Sequence, residues 1–231
     1  MIRFKLAFQG GIALLISVVI PAFNEQETIG EIIKVLKMLK ENKDNEIQEI
    51  IVVCDGCTDN TAKIAREEGA DTVIELPQNI GKGGAMMVGV RNAKNDIILF
   101  LDADLIGLTT SHVKKLIKPI IDGEADMTVG IFEKGRVLTD FAQTIAPFLS
   151  GQRAVRKHLL EGMSDLDASR FGVELALTRY AVENKLKVKE VVLEDMSHRM
   201  KEEKFGLVKG ISARLRMYWE IAQYMRKHLK I

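Results

Sequence analysis

Cysteine is scarce in this chain: two residues in 231, both within Cys54-Asp55-Gly56-Cys57. Two cysteines build no disulfide framework, which excludes the small secreted scaffolds that depend on one and fits a reducing cytoplasm. No second Cys-x-x-Cys pair completes a zinc site, and Asp55-Gly56 reads as turn chemistry rather than a redox motif. An excess of charge is also missing. Thirty-three basic residues against 32 acidic ones leave a net +1, so no overall field selects nucleic acid as a partner. Long apolar runs are absent as well. The stretch 12–20 follows Arg3 and Lys5 in the manner of a leader, but no small-residue cleavage site comes after it. It is shorter than the ~20 apolar residues of a membrane span and reads as a buried strand. Repeats and low-complexity linkers are lacking too. With 47% hydrophobic and 28% charged residues, what remains is one compact globular domain.

Four apolar runs in the front half read as strands, at 16–20, 49–54, 72–75 and 96–101. β-Branched residues dominate them and strict alternation is rare, as in parallel strands buried on both faces. Helical patterns separate them. Ile29, Ile32, Ile33, Leu36 and Leu39 recur at helical spacing within 27–41. A second helix opens near Thr58 or Asp59 as cap and stops by Gly69, and a third covers 84–93. This alternation predicts an α/β fold, doubly wound around a mainly parallel sheet. Further on, helices are expected at 111–121 and 171–184, strands at 126–132 and 187–193, and a partly helical segment at 136–149. A final helix over 207–229 carries Ile211, Leu215, Tyr218, Trp219, Ala222 and Met225 on one face, with Lys209, Arg214, Arg216, Arg226, Lys227 and Lys230 around it. The expected division is a domain at 1–206 and an amphipathic helix at 207–231. That helix packs on its own domain or on a second copy in a homodimer, a reading favoured over contact with an anionic membrane surface.

Right-handed crossovers place the loops that follow parallel strands on one edge of the sheet, where open α/β sheets bind ligands. Those loops carry Asn24-Glu25, Asp55-Gly56 and Asp102-Ala103-Asp104. Two carboxylates one residue apart repel unless a hard cation lies between them, and Mg²⁺ or Mn²⁺ shared with substrate phosphates is the usual one. The segment Gly81-Lys82-Gly83-Gly84 lacks Walker spacing but offers backbone N–H groups at a helix start and one cation, a combination suited to a diphosphate.

In order, Val18-Val19-Ile20-Pro21-Ala22-Phe23-Asn24-Glu25, Asp55-Gly56-Cys57-Thr58-Asp59, Asn79-Ile80-Gly81-Lys82-Gly83-Gly84 and Asp102-Ala103-Asp104 resemble the motifs of family 2 glycosyltransferases with the GT-A fold. The resemblance covers about the first 130 residues. It implies a single Rossmann-like domain and a metal-dependent transfer of a hexose from a nucleotide sugar. Pro21, Ala22, Asn24, Glu25, Asp55, Gly81, Lys82 and Asp102 would hold the donor, and Asp104 would be a direct metal ligand. Asp102 either reaches the metal through water or holds the sugar or ribose.

Ser150-Gly151-Gln152-Arg153, Gly172-Val173-Glu174 and Met196-Ser197-His198-Arg199 narrow the likeness to glucosyl-3-phosphoglycerate synthases. That likeness implies UDP-glucose as donor, 3-phosphoglycerate as a small anionic acceptor and His198 as a further metal ligand. Ser150, Gly151, Gln152 and Arg153 would meet the acceptor, with Arg153 gripping its anion in bidentate fashion. Asp102, Glu174 and Arg153 are the candidate catalytic groups. Glu174 is a general base if the enzyme inverts, and it positions acceptor or sugar if the enzyme retains. The alternatives are a polyprenyl-phosphate sugar synthase similar to dolichol-phosphate mannose synthase, and a nucleotide-sugar binder without transfer. Ala103 departs from the Asp-Ser-Asp common in the synthases, and the chain is shorter than typical members.

Overall fold

The computed structural model describes residues 14–42, 46–132, 150–161 and 173–198. The expected helix at 207–229 and the segment 136–149 lie outside the described residues. Strands β1 (Ile16–Ala22), β2 (Ile47–Asp55), β3 (Thr72–Leu76) and β4 (Ile97–Phe100) alternate with helices α1 (Ile29–Lys40), α2 (Thr61–Glu67) and α3 (Lys82–Asn92). A two-residue strand β5 (Leu105–Ile106), helix α4 (Thr110–Ile121) and strand β6 (Met127–Phe132) follow. Then come β7 (Arg153–Arg156), α5 (Lys157–Glu161), α6 (Val173–Glu183), β8 (Val188–Leu193) and β9 (Ser197–His198).

Seven strands form one sheet in the order β3-β2-β1-β4-β7-β6-β8. All its pairings are parallel except those of β7, which runs antiparallel to both β4 and β6. The sequence reading missed β7. Its four residues, Arg-Ala-Val-Arg, bury only a short apolar centre and give no strand signal of their own.

The continuous apolar runs have a simple cause. In β1, Ile16, Val18 and Ile20 pack toward α1, α2 and α4, whereas Val19 packs toward α3 and α6. Ile50 and Val52 against Ile51 and Val53 in β2 divide in the same way, as do Ile97 and Leu99 against Ile98 and Phe100 in β4. Successive side chains of a strand point to opposite faces, so a strand covered on both faces must be apolar throughout. Helix α3 approaches β1 so closely that a Cβ on Gly89 would lie 2.3 Å from Val19 Cγ1.

Order reverses at β1, which has β2 on one side and β4 on the other. Such a switch point opens a crevice beyond the carboxyl ends of the strands. Antiparallel β7 brings its amino end to that same edge, with Arg153 beside Phe100. Residues 150–152 therefore meet the loop after β4.

Candidate active site

The loops after β1 and β2 are stitched together before any ligand is considered. Asn24 adopts a left-handed conformation, φ 56°, which asparagine tolerates better than most residues. Its Oδ1 accepts from Thr58 N at 2.8 Å, Glu25 N donates to Thr61 Oγ1 at 2.8 Å, and Gln26 Oε1 accepts from Asn60 N at 3.1 Å. Asn60, rather than Thr58 or Asp59, is the cap residue of α2. Asp59 Oδ1 accepts from Thr61 N at 2.9 Å, so it still satisfies a backbone donor of the first turn. Asp55 closes β2 and is 3% exposed. Its carboxylate accepts from Ile80 N at 2.7 Å and Gly81 N at 2.9 Å. Asp55 thus holds the glycine-rich loop in place.

Cys54 and Cys57 are free thiols. A hydrogen bond from Cys54 lowers Cys57 to about 7, and the same bond together with burial pushes Cys54 up.

At the centre, Lys82 in the first turn of α3 bridges two carboxylates. Its Nζ lies 2.6 Å from Asp102 Oδ1 and 2.5 Å from Glu174 Oε1. Burial alone would depress this ammonium, but the two carboxylates raise it above its ordinary value. Asp102 Oδ2 accepts from Gln152 Nε2 at 3.0 Å, and Gln152 Oε1 accepts in turn from Ser150 Oγ at 3.0 Å. Gly151 allows this arrangement. A Cβ there would sit 2.5 Å from both Asp102 carboxylate oxygens and 2.7 Å from Lys82 Nζ.

The expectation that Arg153 grips an acceptor anion meets a different geometry. Its side chain is buried, 1% exposed. Nε donates to Ser150 O at 2.9 Å, Nη2 donates to Thr178 Oγ1 at 2.9 Å, and Nη1 lies 3.7 Å from Met127 Sδ. Burial pushes the guanidinium down to about 10, opposed by the Glu174 carboxylate. Gln152 is equally buried, with its amide turned to Asp102 rather than to solvent.

The chain around Asp104 lies beside the backbone of His198. β5 and β9 form an antiparallel ribbon in which His198 pairs with Leu105, the residue after Asp104. Asp104 itself offers a hard carboxylate, the ligand type a divalent cation takes together with diphosphate oxygens and water. Among the described residues no three His, Cys, Asp or Glu side chains gather into a protein-only metal cage.

Two threonines escaped the sequence reading. Thr28 looks like a helix cap, but its buried hydroxyl donates to Ala103 O at 2.6 Å and pins the middle of Asp102-Ala103-Asp104. Thr178 links Arg153 to the carbonyl of Glu174 at 2.9 Å. Contacts across 75 and 25 residues leave no local signal.

Comparison with known proteins gives the following likenesses. The model of the family described as glycosyl transferase family 2 matches residues 17–165. An uncharacterized protein of Methanocaldococcus jannaschii is 32% identical over 203 residues, 76% of this chain and 79% of that protein. The undecaprenyl-phosphate 4-deoxy-4-formamido-L-arabinose transferase of Pseudomonas fluorescens is 37% identical over 95 residues, 39% of this chain. The match spans 28% of that transferase's own length. Glucosyl-3-phosphoglycerate synthase of Mycobacterium tuberculosis, solved with Mn²⁺, UDP-glucose and phosphoglyceric acid, is similar with a TM-score of 0.70 at 28% identity. That likeness covers 89% of this chain and 80% of the synthase chain. The same synthase has been solved with Mg²⁺ and UDP.

Proposed function

The chain belongs to glycosyl transferase family 2, and we propose that it moves a glucosyl group from UDP-glucose to a small anionic acceptor of the 3-phosphoglycerate kind. The observation that carries this reading is the Lys82 bridge between Asp102 and Glu174, roofed by Ser150-Gly151-Gln152, at the switch point of the sheet. Likeness to a synthase bound to UDP-glucose and phosphoglyceric acid supports the substrates.

In this reading Asp55 and the loops bearing Pro21, Ala22, Asn24 and Glu25 hold the nucleoside. Gly81 and Lys82 face the diphosphate from the start of α3. Asp104 and His198 would hold Mg²⁺ or Mn²⁺, which supplies positive charge to the departing diphosphate. Asp102, fixed by Lys82 and Gln152, orients the sugar. Glu174 stands across Lys82 from Asp102 and positions the acceptor hydroxyl. That oxygen forms the new bond to the anomeric carbon, the bond to the β-phosphate oxygen breaks, and the nucleoside diphosphate leaves with the electron pair and takes up the hydroxyl's proton. The acceptor's anion is assigned to the loop at 150–152 as a whole, because Arg153 is turned inward. The cytoplasm, where Cys54 and Cys57 stay reduced, is the compartment this reading calls for.

A second reading, transfer to a polyprenyl phosphate, is favoured by the likeness to the undecaprenyl-phosphate transferase over 95 residues. No helix among the described residues is long and apolar enough to cross a membrane. A donor-by-acceptor screen with Mn²⁺ separates the two. Turnover of UDP-glucose with 3-phosphoglycerate is expected, with the product anomer read by NMR. Turnover with polyprenyl phosphate alone would overturn the small-acceptor reading.

Gly151→Ala tests the roof. The added methyl must displace the Asp102 carboxylate, so transfer should fall by about 100-fold, as misplacements near 1 Å do. Circular dichroism should remain that of the wild type.

A further inference from the structure

We propose that Arg153 is a positioning residue: its buried guanidinium ties the loop at 150–152 to helix α6 and so sets the distance between Asp102 and Glu174. The proposal rests on the transferase reading of the site. The connection is continuous. Ser150 O accepts from Arg153 Nε at 2.9 Å, Thr178 Oγ1 accepts from Arg153 Nη2 at 2.9 Å, and the Thr178 hydroxyl donates to Glu174 O at 2.9 Å. At one end of this bridge stands Gln152, whose amide holds Asp102 at 3.0 Å. At the other stands Glu174, held to Lys82 at 2.5 Å. The two carboxylates therefore belong to different elements, the loop after β4 and the first turn of α6, and the Arg153 bridge joins the partners of both.

The chemistry of arginine suits this role. Its planar fork donates in two directions at fixed geometry, which lysine cannot copy. A buried charge is costly, and apolar filling would serve packing alone. The side chain is 1% exposed, so direct contact with a soluble acceptor is not its task. Register supports the same conclusion. Arg153 pairs with Phe100, two residues before Asp102, and so anchors the loop where β4 releases that carboxylate.

The test compares wild type with Arg153→Lys, Thr178→Val and the double variant. Steady-state kinetics with UDP-glucose are read alongside amide hydrogen exchange at 150–153 and 173–178. Arg153→Lys should lower kcat by about 30-fold and Thr178→Val by about tenfold, with the donor KM within about twofold. The double variant should be no worse than Arg153→Lys, because both changes cut one bridge. Exchange should accelerate in the loop and the helix together. Unchanged kcat in Arg153→Lys, multiplicative losses in the double variant, or faster exchange in only one segment would each overturn the proposal. A kcat loss accounted for by the unfolded fraction in a thermal melt would also overturn it. An inactive wild type would refute the transferase reading instead, and the exchange pattern would then decide on its own whether the bridge exists.

Discussion

Lys82→Met should lower kcat/KM for the nucleotide sugar by about 1000-fold. Methionine keeps the length of lysine's apolar stem and removes the ammonium with its hydrogen bonds. Those bonds, 2.6 Å to Asp102 and 2.5 Å to Glu174, hold two carboxylates of different elements around one ammonium. The Asp102 and Glu174 side chains are 14% and 17% exposed. Without the cation, two negative groups face each other with little water between them, and each turns away from the geometry the transfer needs. The diphosphate loses a neutralising partner at the same time. Removing a single preorganised charge from an active site commonly costs 100- to 1000-fold, roughly 2.7–4 kcal/mol of transition-state stabilisation. Two roles in one side chain place Lys82 at the upper end. Lys82→Arg is not a mild alternative, because a longer planar fork cannot stand in for one compact ammonium held between two carboxylates. Steady-state kinetics across a UDP-glucose series check the figure. A kcat/KM within threefold of wild type would show that Lys82 is only a surface cation that happens to lie between two acids.

The front of the fold could be read from the sequence because its signals are local. Buried parallel strands demand unbroken apolar runs, and 16–20, 49–54 and 96–101 are such runs in β1, β2 and β4. Asp55 and Asp102 were legible as strand-end residues because each closes or follows a run of that kind, at the edge where an open sheet binds its ligands. Boundaries moved by a residue or two. α3 begins at Lys82 rather than Gly84, so the lysine rides on the helix rather than on the loop before it.

The back of the fold was harder to read because its signals are not local. β7 is recognised only by its neighbours β4 and β6, and β5 and β9 are two-residue strands that exist as a pair. The expectation that Arg153 faces the acceptor came from the likeness of Ser150-Gly151-Gln152-Arg153 to the synthases' acceptor loop. The partners of Arg153, Thr178 Oγ1 and Ser150 O, bring the guanidinium indoors. Gln152 carries the same expectation of acceptor contact, and its amide donates to Asp102. His198 was placed by motif resemblance, and the ribbon brings its backbone beside Leu105 without any local clue in Ser197-His198.

Asp104→Ala bears on the whole account. Asp104 follows the strand-end acid Asp102 and precedes Leu105, whose ribbon partner is His198. Under the proposed function, Asp104 supplies a carboxylate ligand to a cation that a diphosphate also holds. The neighbouring carboxylate Asp102 is already engaged by Lys82 and Gln152. Its removal would disturb the sugar, whereas removal of Asp104 should disturb the ion. The most direct measurement is isothermal titration of UDP-glucose into wild type and Asp104→Ala, each with and without Mn²⁺. Wild type should bind the donor about 100-fold more tightly with Mn²⁺, whereas the variant, folded by its thermal melt, should bind it weakly and equally in both conditions. The same Mn²⁺-dependent tightening in Asp104→Ala as in wild type would contradict the assignment of this strand end as a metal-assisted nucleotide-sugar site.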